Sequence, residues 1–382
     1  MNYDVYCSMI HGGLQLDVKN KNTVFLKHCC LRHDRFVIDF DNAWNNKQLE
    51  PLRNTNLNNI WDPGCASCKS LEKSGLPSFR QGMNQGLGIT GKKDLNGPAR
   101  LDLMFDNSCN LACRTCGPGS STYWQHHLKA NGQWVEPLRT THNQDTLLSL
   151  LATMNLSNLR QVVFCGGETL LGNHHWDVAQ WLALNVPNAK EQLTLCFQTN
   201  GTQSIDQKHF EIIDRCHLVK LHVSIDATEQ QFEYLRWPAL WMQVQQNLYD
   251  LRDTLPSNVM FLVEQTVSIF NVVYLDELDR WCRKNFSVNR EGDPIDCTRH
   301  LAMGIYSLKN ASQQLINTLE NSPYRNLVPN NWKEHAQSIT SMLGQIKNSI
   351  SLEIKVLKKH FLPLLWHLKN FGNLQSLKIM MD

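Results

Sequence analysis

The chain has no run of about 18 consecutive apolar residues, the length a membrane-crossing helix requires. Its first residues, MNYDVYCSMIHGGLQL, lack the basic start, apolar run and small-residue cleavage site of a secretory signal. The two absences lead to the expectation of a cytoplasmic protein. Charge of one sign is also missing, because 37 basic against 35 acidic side chains leave a formal net charge of +2. Nothing in that balance calls for a nucleic-acid or membrane partner. There is no internal repeat and no low-complexity tract. What the chain does have is cysteine: 13 in 382 residues, an odd number. In a reducing compartment such a count favours metal or redox roles over a disulfide framework. The remaining composition, 42% apolar and 19% charged, is ordinary for a globular protein with a sizeable core.

From Arg100 onward short apolar runs alternate with amphipathic helical stretches, the pattern of a parallel sheet wound with helices. Strands are expected at ARLDLMF ending near Phe105, around Val162–Phe164, Leu193–Gln198 and Val219–Ile225, and from Val259 to Ile269. Helices are expected over His174–Leu184, Gln207–Cys216, Gln230–Leu251 and Val273–Lys284, with a sixth strand in LAMGIYSL from Leu301. Strand plus helix repeated five or six times points to an α/β fold, a partial (β/α)6 TIM-like barrel with its reactive groups at the carboxyl ends of the strands. Residues 1–99 read as a small loop-rich module that needs a metal staple, joined to a barrel over 100–290 by the run Gly86–Pro98. Residues 291–382 read as the last strand and a helical C-terminal region, including Gln313–Asn321 and Trp332–His367.

The densest chemistry lies in SCNLACRTCGP, where Cys109, Cys113 and Cys116 follow the first barrel strand at C-x3-C-x2-C spacing. Three thiolates on one short loop can hold three irons of a [4Fe-4S] cubane and leave the fourth iron open to a ligand from elsewhere. The alternative for the same spacing is a zinc knuckle or a set of buried thiols. Further along, GGE (Gly166, Gly167, Glu168) follows the second strand and TNG (Thr199, Asn200, Gly201) the third. Ser224 and Asp226 in SID end the fourth, with Arg236 ten residues beyond Asp226.

That order of motifs, over roughly residues 100–285, resembles the radical S-adenosylmethionine (SAM) superfamily, most nearly its members with a SPASM or twitch auxiliary module. The resemblance implies that Cys109, Cys113 and Cys116 hold a SAM-binding [4Fe-4S] cluster and are the catalytic ligands. It implies that Gly166, Gly167 and Glu168 meet the SAM amino group, that Thr199, Asn200, Ser224 and Asp226 line the SAM site, and that Arg236 pairs with its carboxylate. Two departures stand out. Thr169 replaces the proline that usually follows GGE, and Thr115 replaces the aromatic residue many members carry before the third cysteine. Asn271, in IFNV, reads as a helix cap, with a further SAM-side contact as the alternative. Cys165, Cys196, Cys216, Cys282 and Cys297 have no partner spacing and read as small buried side chains.

The first 99 residues carry a second constellation: Cys7, the pair Cys29 and Cys30, and Cys65 with Cys68 in GCASC. A C-x2-C pair binds zinc or an iron–sulfur cluster equally well by spacing alone. The order of these cysteines, followed by Ser78, Arg80 and Asn84, is similar to twitch-type modules set ahead of the barrel. The resemblance implies an auxiliary [4Fe-4S] cluster on Cys7, Cys29, Cys65 and Cys68, with Cys30 as the substitute for Cys29. Trp44, Trp61 and Trp124 read as packing residues around the two modules.

The function so implied is reductive cleavage of SAM to a 5′-deoxyadenosyl radical that abstracts a substrate hydrogen. The expected substrate is a ribosomally made peptide undergoing oxidation or cross-linking, with an electron donor such as a flavodoxin or ferredoxin. The enzymatic alternative is dehydrogenation or epimerisation of a small sugar or amino-acid derivative. The alternative of another class is a metal-stapled or redox-sensing protein without turnover.

Overall fold

The computed structural model describes residues 5–301 apart from 33, 39–42, 74, 76, 90–94, 134–142 and 287–296, together with residue 315. The expected C-terminal helices Gln313–Asn321 and Trp332–His367 lie, but for residue 315, outside the described residues, as does part of the Gly86–Pro98 run. By its internal contacts the chain divides into two units, Met1–Gln265 with Glu277–Thr298, and Thr266–Asp276 with Arg299–Asp382.

The architecture is mixed α/β, a mostly parallel sheet with helices. Its strands are β1 (Gly13–Asn20), β2 (Thr23–Lys27), β3 (Phe36–Val37), β4 (Arg100–Met104), β5 (Gln161–Cys165), β6 (Thr194–Thr199), β7 (Leu218–Ser224), β8 (Val259–Val267) and β9 (Cys297–Leu301). Their order in the sheet is β3-β2-β1-β4-β5-β6-β7-β8-β9. Each pair from β1 through β4, β5, β6 and β7 to β8 is parallel, whereas β2 runs antiparallel to both β1 and β3. Five of the six parallel strands are those expected between Phe105 and Ile269. The sixth is β1, from the segment read as loop-rich, and the strand expected from Leu301 instead ends there.

Strand β1 forms because GLQLDVKN alternates apolar and polar residues, which puts Leu14, Leu16 and Val18 on one face at 0% exposure. The turn at Asn20–Thr23 folds β2 back against it, with Val24 and Leu26 joining the same core. The core continues through Leu101 and Leu103 of β4, Phe164 of β5, Phe197 of β6 and Leu221 of β7. Each such fully buried side chain contributes about 1.5–3 kcal/mol relative to exposure.

The alternate residues of the same strands are polar and bonded to one another across the sheet. Arg100 Nε donates to Asp102 Oδ1 at 2.8 Å and its Nη1 to Gln161 Oε1 at 2.8 Å, while Gln161 Nε2 reaches Cys196 Sγ at 3.5 Å. On the next two strands His222 Nδ1 and Glu264 Oε1 are 2.6 Å apart. One sheet face is thus a packed apolar core and the other a largely polar one on which Arg100 pairs with Asp102 and His222 with Glu264.

The expected helix Gln230–Leu251 is two helices, Glu229–Leu235 and Trp241–Thr254. Pro238 lies in the break, where its missing N–H and its ring are incompatible with a continuous helix. Asn271 stands at the N-cap position of the short 3-10 turn Val272–Tyr274 but its side chain makes no cap bond there; Asn271 Oδ1 instead accepts from Ser268 N at 2.7 Å. Among the described residues no helix is long and apolar enough to cross a membrane.

Candidate active site

The carboxyl ends of four parallel strands, β4 to β7, carry the motif loops. After β4 the chain turns at Asp106, whose Oδ1 accepts from both Ser108 N and Ser108 Oγ, and enters the three-cysteine loop. That loop is held on two sides. Ser121 caps the helix Thr122–Ala130 and donates its hydroxyl to Leu111 O at 2.5 Å, and Trp124 Nε1 donates to Cys113 O at 3.0 Å. On the other side Ala112 N donates to Trp237 O and Arg114 N to Leu235 O, both at 2.7 Å. The break between the two helices around Arg236 therefore supplies two carbonyls that anchor the cysteine loop.

The GGE turn docks directly on this loop. Glu168 N donates to Ser108 O at 2.7 Å, and Gly167 sits at φ +29° with its Cα so close to the loop that a Cβ would lie 2.2 Å from Ser108 O. No other residue fits that contact. The Glu168 side chain is 1% exposed. Its Oε1 accepts from Thr199 Oγ1 at 2.6 Å and from Leu170 N at 3.0 Å, and its Oε2 accepts from Asn200 N at 2.6 Å. Burial pushes the Glu168 carboxyl above its ordinary pKa, and these three bonds oppose the shift. In this structure Glu168 ties the second motif to the third.

Asn110, which the sequence reading passed over, completes the tie: it accepts from Asn200 Nδ2 at 3.0 Å and donates to Thr202 Oγ1 at 2.8 Å. An Asn inside a cysteine loop, where no helix needs a cap, was the available signal. Ser224 ends β7 opposite Glu264 in register. Asp226, two residues on, is 1% exposed and pairs through Oδ2 with Arg236 Nη2 at 2.9 Å. Arg236 Nη1 in turn lies 3.9 Å from Cys113 Sγ. Burial works against the Arg236 charge, but Asp226 and the neighbouring thiols outweigh it and raise its pKa.

The donor set fits a cubane. Cys109, Cys113 and Cys116 share one loop, and the charge of Cys116 helps raise the pKa of both others. Burial is the main cause, pushing Cys109 to about 11 and Cys113 to about 12, while Arg236 opposes it at Cys113. Such thiols are protonated without a metal and become thiolates only when one binds. The Arg236 guanidinium beside Cys113 would offset the negative charge of thiolates there.

In the N-terminal region Cys7, Cys29, Cys65 and Cys68 line one pocket. Their charges act on one another: Cys7, pushed by burial to about 11, is also raised by Cys65 and Cys68, and Cys29 is raised by its hydrogen bond to Cys30, by burial and by Cys7. Cys30 is exposed, and its hydrogen bond to Cys29 lowers its pKa. Four soft donors around one pocket fit a four-iron cluster. Arg80 is held by Glu72 through two bonds and donates to Tyr6 O, and Asn84 Nδ2 donates to the same carbonyl, so Arg80 and Asn84 secure the backbone beside Cys7. Trp61 lines the pocket, Trp44 is buried in the main core and Trp124 touches the three-cysteine loop. Cys165 is half-buried and Cys196, Cys216 and Cys282 are buried, while the Cys297 side chain lies outside the described residues.

No family model matches the chain, and no curated protein does. Among solved structures it is similar to anSMEcpe with bound AdoMet, at 16% identity and TM-score 0.38 over 62% of this chain and 59% of that one. It is also similar to Streptococcus suis SuiB bound to S-adenosylmethionine, at 13% identity and TM-score 0.38 over 87% and 69% of the two chains. For SuiB bound to precursor peptide SuiA the values are 12%, 0.37, 90% and 70%. The chain thus spans less than two thirds of the length of anSMEcpe. At this distance the site's own geometry carries the functional reading.

Proposed function

We propose that the chain is a radical SAM enzyme whose active site is the junction of the three-cysteine loop, the GGE and TNG turns and the Asp226–Arg236 pair. The observation that supports it best is convergence. Motifs spread from Cys109 to Arg236 meet at one end of the sheet, joined by direct bonds from Ser108 to Glu168, Glu168 to Asn200 and Arg236 to Cys113. A [4Fe-4S] cluster on Cys109, Cys113 and Cys116 would supply the electron that splits bound SAM, giving the 5′-deoxyadenosyl radical that takes a hydrogen atom from substrate.

The chain's own residues do the positioning. Ser121, Trp124, Leu235 and Trp237 hold the cysteine loop rigid, and Gly167 lets the GGE backbone close on it. Thr199, Asn200, Ser224 and Asp226 bring polar groups to the same rim, and Arg236 adds a buried positive charge beside Cys113 that would pair with the SAM carboxylate. The polar wall of the sheet, from Arg100 to Glu264, leads away from that rim and gives a hydrogen-bonding surface to a substrate. A second cluster on Cys7, Cys29, Cys65 and Cys68 would take one electron from the substrate radical, which suits an oxidative or cross-linking reaction. The motif resemblance points to a ribosomally made peptide as substrate and to a flavodoxin or ferredoxin as electron donor.

The test is anaerobic reconstitution. About eight irons per chain, two four-iron clusters, and 5′-deoxyadenosine formed from SAM with a reductant are expected. Stoichiometric zinc with little iron, or no SAM cleavage by the iron-loaded protein, would overturn the reading. Mass spectrometry of peptides and extracts incubated with the enzyme then reports the substrate and its mass change together.

A further inference from the structure

Arg32 stands at the cysteine pocket in an arrangement that needs explanation. Its side chain is 8% exposed, and its Nη1 donates to Cys65 Sγ at 3.4 Å. Two carboxylates clamp it: Asp34 accepts from Nε at 2.8 Å and from Nη2 at 2.6 Å, and Asp62 Oδ1 accepts from Nη1 at 2.7 Å. The same Asp62 oxygen accepts Gly64 N at 2.8 Å, which fixes the turn that delivers Cys65. The guanidinium then lies flat against Gly64, so closely that a Cβ there would be 2.6 Å from Arg32 Cζ. Glycine one residue before a ligand cysteine is what lets a planar cation reach that ligand's sulfur. The backbone adds to the fit, since Arg32 N donates to Cys29 O at 3.2 Å, tying the guanidinium's own residue to a second cysteine.

A simple ion pair on the surface would need neither the glycine cradle nor the third contact to sulfur. Packing alone would not select a guanidinium with its donors divided between two carboxylates and a thiol. A hydrogen bond to a cluster sulfur favours the more negatively charged, reduced state, and nearby carboxylates disfavour it. Arg32 and Asp62 therefore act in opposite directions on the same Cys65 sulfur.

We infer that Arg32 is a positioning residue that sets the reduction potential of the auxiliary cluster, with Asp62 and Asp34 trimming its charge. The inference rests on the proposal that Cys7, Cys29, Cys65 and Cys68 hold a four-iron cluster. Its consequence is that the cluster takes up an electron at a higher potential than it would without Arg32, the direction that an oxidative reaction at the barrel requires.

The experiment uses the full chain carrying Cys113→Ala and Cys116→Ala, so that only the N-terminal cluster is read, in an EPR-monitored redox titration. Arg32→Met removes the charge and the donor and should move the midpoint to lower potential. Asp62→Asn keeps an oxygen for Gly64 N but removes a negative charge, and should move the midpoint to higher potential. Arg32→Lys keeps the charge without the planar fork and should fall between Arg32→Met and the parent. About four irons per chain in all of them would show that the shift is not cluster loss. Midpoints that stay at the parent value with full iron would overturn the role of Arg32. If Arg32→Met fails to hold iron, Asp62→Asn decides alone, an upward shift supporting the inference and an unmoved midpoint overturning it. A parent protein that binds zinc instead of iron would refute the cluster proposal itself, a result distinct from any change in midpoint.

Discussion

Arg236 Nη2 lies 2.9 Å from Asp226 Oδ2, an ion pair between two buried side chains at the mouth of the cysteine loop. Breaking such a pair from one side costs roughly 3–5 kcal/mol, because a charge stays buried without its counter-charge. Arg236→Met should therefore lower stability by that order, read as a fall in the urea midpoint. Arg236→Met with Asp226→Leu should cost clearly less than the two single changes added together. In the iron-loaded protein Arg236→Met should also weaken SAM binding about tenfold or more, measured by calorimetry, as loss of one charge-assisted contact does. Full additivity in the double variant would mean that the two residues act independently.

Gly167 and Gly172 offer a matched pair of tests. Both have positive φ, +29° and +76°, but a Cβ on Gly167 would meet Ser108 O at 2.2 Å while one on Gly172 meets nothing within 4 Å. Gly172→Ala should cost about 1–2 kcal/mol of backbone strain and leave iron content intact. Gly167→Ala must also push the cysteine loop aside, so it should lose more stability and a large part of the barrel iron. Thermal unfolding and iron analysis read both outcomes. Equal effects would show that the close approach of GGE to Ser108 is not needed for the site.

Most of the parallel strands, and the loops that make up the candidate site, were legible in the sequence. The strands β4 to β8 announced themselves because each is a short apolar run bounded by turn residues, and the motif cysteines because their spacing has few other uses. Strand β1 was missed although Leu14, Leu16 and Val18 alternate cleanly, since eight residues between cysteine-bearing loops look like part of the loops. The interruption at Arg236 was missed although Pro238 marks it, because helical periodicity resumes at Trp241. That interruption orients Arg236 toward Cys113, so the omission concerned the site as much as the fold. Asn110 was passed over although its place inside the cysteine loop was a signal, and Arg32 was not legible at all; their roles depend on partners 90 and 33 residues away.

Acid should destabilise the fold through two histidines kept neutral by burial. Burial lowers His28 to about 3 and His175 to about 4, against 6.5 for an ordinary histidine. Below pH 6.5 the unfolded chain takes up these protons and the folded chain does not, so stability falls from pH 6.5 down to the folded values. At pH 5 the loss is roughly 2 kcal/mol per histidine. His222 works the other way. Burial alone would lower it, but Cys196 and Glu264 outweigh burial and lift it to about 9. Its contribution is complete below pH 6.5 and disappears as pH rises through about 9. Urea unfolding of the apo protein from pH 5 to 10 should give a dome, and His175→Phe should flatten its acid side alone. An acid side of unchanged slope in that variant would mean that His175 is protonated in the folded state.

The adjacent thiols Cys29 and Cys30 give the sharpest test of the N-terminal cluster. Cys29 lines the pocket with Cys7, Cys65 and Cys68, whereas Cys30 is exposed and is not among the residues of its wall. Cys29→Ala should therefore lose about four irons per chain, the content of one cubane, and Cys30→Ala should keep all of them. The paired change of Cys65 and Cys68 to Ala should match Cys29→Ala in iron. SAM cleavage should survive in both cluster-free variants, because Cys109, Cys113, Cys116 and Arg236 belong to other loops, while product formation should fall much further if the second cluster takes the substrate electron. Soluble protein should fall as well if the cluster also staples the segment. The pocket's walls come from residues as far apart as Val5 and Arg80, and few of its apolar side chains are buried apart from the cysteines themselves. Iron loss in Cys30→Ala with retention in Cys29→Ala would exchange the two assignments. Loss of SAM cleavage in the soluble Cys65 and Cys68 variant would make the second cluster part of SAM activation itself.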